Sequence, residues 1–128
     1  MQDTKSIKPT ESELEILQVL WDKGNATVRE VHETLLTVKD VGYTTTLKLM
    51  QIMNEKGLVK RNDSSRTHIY KAAVKKETTQ QFMLSKFISN LFGGSPSQLV
   101  LQALGNNDVS REELDQIQLM LDQLKKKD

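Results

Sequence analysis

The chain has 128 residues, 37% hydrophobic and 27% charged, with a formal net charge of +1 and no cysteine. That length holds one domain or two small ones with a modest core, a size at which oligomerisation often adds stability. The composition excludes disulfides, thiolate metal sites and cysteine nucleophiles, and no apolar run nears the roughly 18 residues that a membrane-spanning helix needs, so a cytoplasmic protein without membrane insertion is expected.

Residues Met1 to Glu13 contain no apolar stretch of a secretory signal. The first eight residues and the Lys125–Asp128 tail have the composition of disordered segments. Thr10 and Glu13 then form a capping box that opens a first helix. Leu14, Leu17, Val19, Leu20 and Trp21 follow, mostly on one face. Trp21 is expected to be a buried anchor between this helix and the tail. Gly24-Asn25 ends the helix. Thr27 and Glu30 form a second capping box, and Val28, Val31, Leu35 and Val38 trace the stripe of a second helix.

A third helix is predicted from about Thr44 to Lys56, with Gly57 as its stop. Leu49, Met50 and Met53 are expected to face inward, flanked by Leu47 and Ile52. Thr44, Lys48, Gln51 and Glu55 make a continuous polar face on the opposite side. Leu58–Arg61 and Thr67–Ala72 read as two short strands joined across Asn62-Asp63-Ser64-Ser65, a hairpin. Three helices followed by a hairpin is the order of a winged helix-turn-helix.

The remainder is helical. Thr78–Phe92 carries Phe82, Leu84, Phe87, Ile88, Leu91 and Phe92, and Gly93-Gly94 ends it. Ser95-Pro96 is an N-cap followed by proline at the first helical position, starting a helix to Leu104 that includes Leu99. Ser110 and Glu113 form a further capping box, and Leu114, Ile117, Leu121 and Leu124 repeat at helical spacing. These helices carry more apolar surface than some 50 residues can bury alone. Such surface marks a partner, and the simplest partner is a second copy about a two-fold axis. The expected fold is therefore mainly α with a small β wing. Residues 1–74 form a winged-helix DNA-binding domain and residues 75–128 a helical dimerisation domain. Phe82, Phe87, Leu91, Leu99, Leu114, Ile117, Leu121 and Leu124 are the dimerisation candidates.

Charge is concentrated. Val41–Lys76 holds eight Lys/Arg against two acids, a net of +6, and the flanking segments are both net negative. A helix and ribbon sharing that field suit a DNA groove and its phosphates. Thr44 and Thr45 add hydroxyl donors to a helix N-terminus, which favours phosphate; Thr44 also suits an N-cap alone. Lys48 reaches a guanine edge or a phosphate, and Gln51 matches adenine N6/N7. The bland alternative for either is a solvated side chain. Lys60, Arg61, Arg66 and Lys71 flank the hairpin turn as phosphate candidates. His68 packs on or donates to the DNA backbone. His32 and His68 are the only histidines, too few for a metal site, and no cofactor is implied.

The segments "KPTESELEILQVLW", "ATVREVHETL", "YTTTLKLMQIMNEKGLVKR" and "HIYKA" resemble the penicillinase repressor family (BlaI/MecI/CopY-type winged-helix repressors) from about Lys8 to Leu124. The resemblance implies a homodimeric transcriptional repressor on a palindromic double-stranded DNA operator. It implies that Thr44, Thr45 and Lys48 meet the groove, that Tyr43 stands at its mouth, and that Lys60, Arg61, Arg66 and His68 lie on the wing. Many members of the family pair with a membrane-bound sensor metalloprotease, which derepresses by cutting an Asn–Phe bond after an "LVL"-like run. Here Leu99–Leu101 is that run, but Gln102-Ala103 replaces the bond. The cysteine motif of the copper-sensing branch is absent.

No paired nucleophile and base, glycine-rich phosphate loop or metal-ligand spacing points to an enzyme. Two alternatives stay open. One is a winged-helix module for protein–protein assembly, disfavoured by the polar face of the third helix. The other is a ligand-sensing DNA-binding regulator with a pocket near Phe82 and Phe87.

Overall fold

The computed structural model describes residues 8–106 and 108–127; the disorder expected of residues 1–7 and Asp128 lies outside them. Eight elements follow in order: α1 (Glu11–Lys23), α2 (Val28–Leu35), α3 (Tyr43–Lys56), β1 (Val59–Asn62), β2 (Ile69–Ala72), α4 (Lys76–Leu91), α5 (Pro96–Gly105) and α6 (Arg111–Lys126). By backbone contact the chain divides into two compact units, Met1–Leu84 and Ser85–Asp128. The division falls inside α4.

The local signals fold as their chemistry dictates. Thr10 accepts the Glu13 N–H while the Glu13 carboxylate accepts the Thr10 N–H, and Thr27 and Glu30 repeat the arrangement. Each box satisfies two backbone donors that the first helical turn leaves orphaned. Gly57 closes α3 with φ 85°. Its N–H donates to the Asn54 carbonyl and that of Leu58 to the Met53 carbonyl, which is the Schellman arrangement.

In the first unit, Ile16, Leu17 and Leu20 of α1 pack with Val31 and Leu35 of α2, Met50 and Met53 of α3, and Leu58, Val59 and Tyr70 of the hairpin. Burying each such side chain contributes about 1.5–3 kcal/mol, an upper estimate because the unfolded chain is already partly compact. Strands β1 and β2 are antiparallel, with Val59 opposite Ala72, Lys60 opposite Lys71, Arg61 opposite Tyr70 and Asn62 opposite Ile69. Ala26 pairs with Tyr70 through two backbone bonds of 2.8 and 3.0 Å, an isolated bridge that the sequence pattern did not reveal. A part-buried ion pair ties the start of α1 to the end of α3. Lys56 Nζ donates to both Glu13 carboxylate oxygens at 2.8 and 2.9 Å. Burial by itself would raise the Glu13 pKa, but the bonds from Lys56 and the Thr10 N–H outweigh it, and the net value lies below the ordinary 4.5.

Several expectations need correction. The second helix stops at Leu35, so Val38 is 80% exposed and belongs to no buried stripe. Thr46 is fully buried beside Met50 and Met53, whereas Leu49 is only half-buried. Thr44 is not an N-cap; Gly42 holds that position. Trp21 is half-buried, and its Nε1–H donates to the Val74 carbonyl just ahead of α4, not into the tail helices. Lys125 and Lys126 are helical, at the end of α6 where a helix dipole favours cations.

The second unit is built differently. Ser95 caps α5 and Ser110 caps α6 through the N–H groups of Gln98 and Glu113. Phe87 and Phe92 meet edge-on at 5.7 Å. Yet none of the described residues from 85 to 127 is buried.

Candidate nucleic-acid interface

Helix α3 starts without a side-chain cap. Thr10, Thr27, Ser95 and Ser110 each cap a helix with a hydroxyl, but Gly42 supplies none. The first-turn N–H groups at Tyr43, Thr44 and Thr45 precede the first intrahelical bond, that of Thr46 to Gly42. They are therefore open to an anion, and the helix dipole favours one there. Acidic residues occupy the first turns of α1, α2 and α6 but not that of α3.

Tyr43, Thr44, Thr45, Lys48 and Gln51 are all exposed along α3. A cleft of about 430 Å³ opens between the start of α2, α3 and the hairpin, and it brings Tyr43, Gln51, Arg61, Arg66 and His68 together. Thr44, Thr45 and Lys48 stand outside that cleft. Lys60 lies on the other face of the hairpin, since successive strand residues alternate. There it shares a second cleft of about 480 Å³ with Asn25 and Lys71. Lys60 and Lys71 are directly opposed, a like-charge pairing that costs a few tenths to about 1 kcal/mol and that a phosphate between them would relieve.

Arg61 is less available than its position suggests. Its Nε lies 2.7 Å from Asp63 Oδ1, close enough for an ion pair but outside hydrogen-bond alignment. The Tyr70 phenol first, and Asp63 next, push its pKa above the ordinary arginine value. Asp63 Oδ1 also lies 3.7 Å from His68 Nε2, a pairing that gains charge when His68 is protonated. Among the described residues, Arg29, Lys48, Lys60, Arg66 and Lys71 have no ion-pair partner.

Arg29 was not a sequence candidate. It is exposed at the second position of α2 and lines the cleft opposite Arg66. One signal was available: a cation in the first turn of a helix opposes the dipole, so its presence beside a capping box calls for a reason other than helix stability.

The apolar candidates divide by exposure. Phe82, Leu99 and Ile117 are half-buried, while Phe87, Leu91, Leu114, Leu121 and Leu124 are exposed, Leu91 at 64%. Leu101, Leu119 and Met120 add to them, so α6 carries apolar side chains on more than the single predicted stripe. A shallow cleft of about 440 Å³ is lined by Leu91, Phe92, Gln98 and Gln102. Among the described residues, no group of His, Cys, Asp or Glu is placed to hold a metal ion, and no helix is long and apolar enough to cross a membrane.

The description of one protein family, the penicillinase repressors, matches residues 9–123. The chain is 22% identical over 123 residues to a penicillinase repressor of Staphylococcus aureus, covering 96% of this chain and 98% of that one. It is 23% identical over 119 residues to the methicillin resistance regulatory protein MecI of Staphylococcus aureus strain N315, covering 93% and 97%. Among solved structures, the DNA-binding domain of the repressor BlaI is similar with a TM-score of 0.51 at 19% identity, covering 61% of this chain and 93% of that chain. That likeness is one of fold, mainly α with a small β wing.

Proposed function

The chain belongs to the penicillinase repressor family, and on that premise we propose that it is a homodimeric, cytoplasmic transcriptional repressor, not an enzyme, that binds a palindromic operator in double-stranded DNA. The observation that carries this reading is the surface of α3: exposed hydroxyl, lysine and glutamine side chains beside a hairpin and a helix start, where Arg66 and Arg29 have no carboxylate partner. An assembly surface would place apolar groups where Thr44, Lys48 and Gln51 stand.

In the proposed complex α3 lies in the major groove with Lys48 and Gln51 toward base edges. Arg29, Arg66, Lys60 and Lys71 take backbone phosphates on either side. Two copies read half-sites about one helical turn, roughly 34–36 Å, apart. The exposed apolar side chains of α4, α5 and α6 join the copies, which raises the effective concentration of the second reader to around millimolar. Proteolytic derepression by a membrane-bound metalloprotease forms the regulatory part of the proposal. Gln102–Ala103 lies within α5, so a cut there requires that helix to open. Its ten residues contain no buried one, and a helix that short is marginal on its own.

The deciding experiment uses an operator selected from random duplexes. Lys48→Ala is expected to weaken binding by about 1–3 kcal/mol, fivefold to a hundredfold or so, with the dimer intact by sedimentation. Unchanged affinity in a mobility shift removes α3 from the groove.

A further inference from the structure

We propose that His32 is a positioning residue for DNA reading: held by Thr46, its ring sets Tyr43 at the mouth of the cleft. This rests on the reading of α3 as the DNA-facing helix. Tyr43 is 45% exposed, so burial does not fix its rotamer. What it meets is the His32 ring, edge-on, at a centroid distance of 5.5 Å and an interplanar angle of 85°. His32 is half-buried and does not itself line the cleft.

The His32 ring is oriented from inside the fold. Thr46 is fully buried in α3, and its hydroxyl donates to the Gly42 carbonyl at 3.4 Å. His32 Nδ1 lies 3.2 Å from the same hydroxyl. A hydroxyl has one proton; with that proton directed to Gly42, its lone pair accepts from the Nδ1–H tautomer of His32. The buried polar group is thereby satisfied on both sides, as burial requires. The chain of contacts runs from α2 through Thr46 to the residue that caps α3, and through the ring to Tyr43. At a helix start with no side-chain cap, this is the arrangement that fixes the first turn.

An edge-to-face aromatic pair couples its partners by an amount that corresponds to roughly two- to tenfold in affinity. Without the ring, Tyr43 samples other rotamers and must be ordered each time DNA binds. The test is a double-mutant cycle on the full-length protein and the selected operator. His32→Asn removes the ring but leaves an amide to meet Thr46. It is expected to weaken binding two- to tenfold in the wild type and in a Tyr43→Phe background, where an aromatic ring remains. In a Tyr43→Leu background it is expected to change affinity by less than twofold. Melting temperatures of the six proteins, measured in parallel, are expected to lie above the assay temperature, so that every change in affinity is read on folded protein. Equal penalties for His32→Asn in the wild-type and Tyr43→Leu backgrounds overturn the proposal, and so does no penalty in the wild type while Lys48→Ala still weakens binding. If Lys48→Ala and Tyr43→Leu also leave affinity unchanged, the DNA-facing role of α3 has failed and the role of His32 falls with it.

Discussion

The two compact units use the same kind of amphipathic helix to opposite ends. Every buried apolar side chain among the described residues lies in the first unit, between Pro9 and Tyr70. The second unit has comparable leucine-rich helices, yet Leu91, Leu101, Leu119 and Leu124 are each at least 60% exposed. The first unit closes its apolar faces on one another because three helices and a hairpin meet around Met50 and Met53. The second has caps and helices but no buried residue among those described. A helix can be fully specified by its local sequence and still lack most of its stabilisation, which comes from the surface it is laid against. In the proposed dimer that surface is the other copy.

Four variants break or sharpen that contrast. The largest effect is expected from Ile117→Asp combined with Leu121→Asp. Two buried charges at the proposed interface give monomers by sedimentation, and operator affinity falls by about a hundredfold or more as avidity is lost. A full dimer at unchanged affinity assigns the exposed face some other purpose. Next is Met50→Ala, a truncation at the centre of the first unit, expected to cost about 2–5 kcal/mol in thermal or denaturant unfolding. Chemical crosslinking of the folded protein is expected to give the same dimer yield; reduced yield couples the two units.

Glu13→Gln comes third. It leaves Lys56 without its partner, but Lys56 is partly exposed and turns to solvent, so about 1–3 kcal/mol is expected. The sign of its pH dependence is fixed. A carboxylate whose folded pKa is lowered stabilises the protein above its unfolded pKa near 4.5 and loses that contribution as pH falls through the folded value. The gap in melting temperature between wild type and Glu13→Gln is therefore wide at neutral pH and closes below about pH 4.5; a constant gap contradicts the ion pair. Glu30, likewise lowered by the Thr27 N–H, adds to acid sensitivity in the same direction. The smallest effect is expected of Gly57→Ala. A side chain at φ 85° costs about 1–2 kcal/mol, read as a modest drop in melting temperature with no change in oligomeric state.

Much of the fold was legible in the residues. Both early capping boxes, the Gly57 stop, the Ser95-Pro96 start and the hairpin stand where composition and spacing put them, within one to two residues at most ends. The α3 face of Thr44, Lys48 and Gln51 was equally legible, because helical periodicity alone decides which residues share a side. The inside of α3 was only partly legible: Leu49, expected to face inward, is half-buried at the edge of the core, and Thr46, for which the pattern gave no expectation, is fully buried.

What the sequence determined by itself are features decided within a few residues: a hydroxyl bonded to the N–H three residues on, a glycine in left-handed backbone, a charge cluster along one helix and ribbon. Only the tertiary structure decided which distant groups meet. Glu13 and Lys56 are 43 residues apart, Trp21 and Val74 are 53 apart, and Arg29 joins the wing across the same core. The physical reason is range. A cap or turn is satisfied by its neighbours in any fold, whereas a contact between remote side chains exists only once the packing of the whole core has set the distance between their backbones.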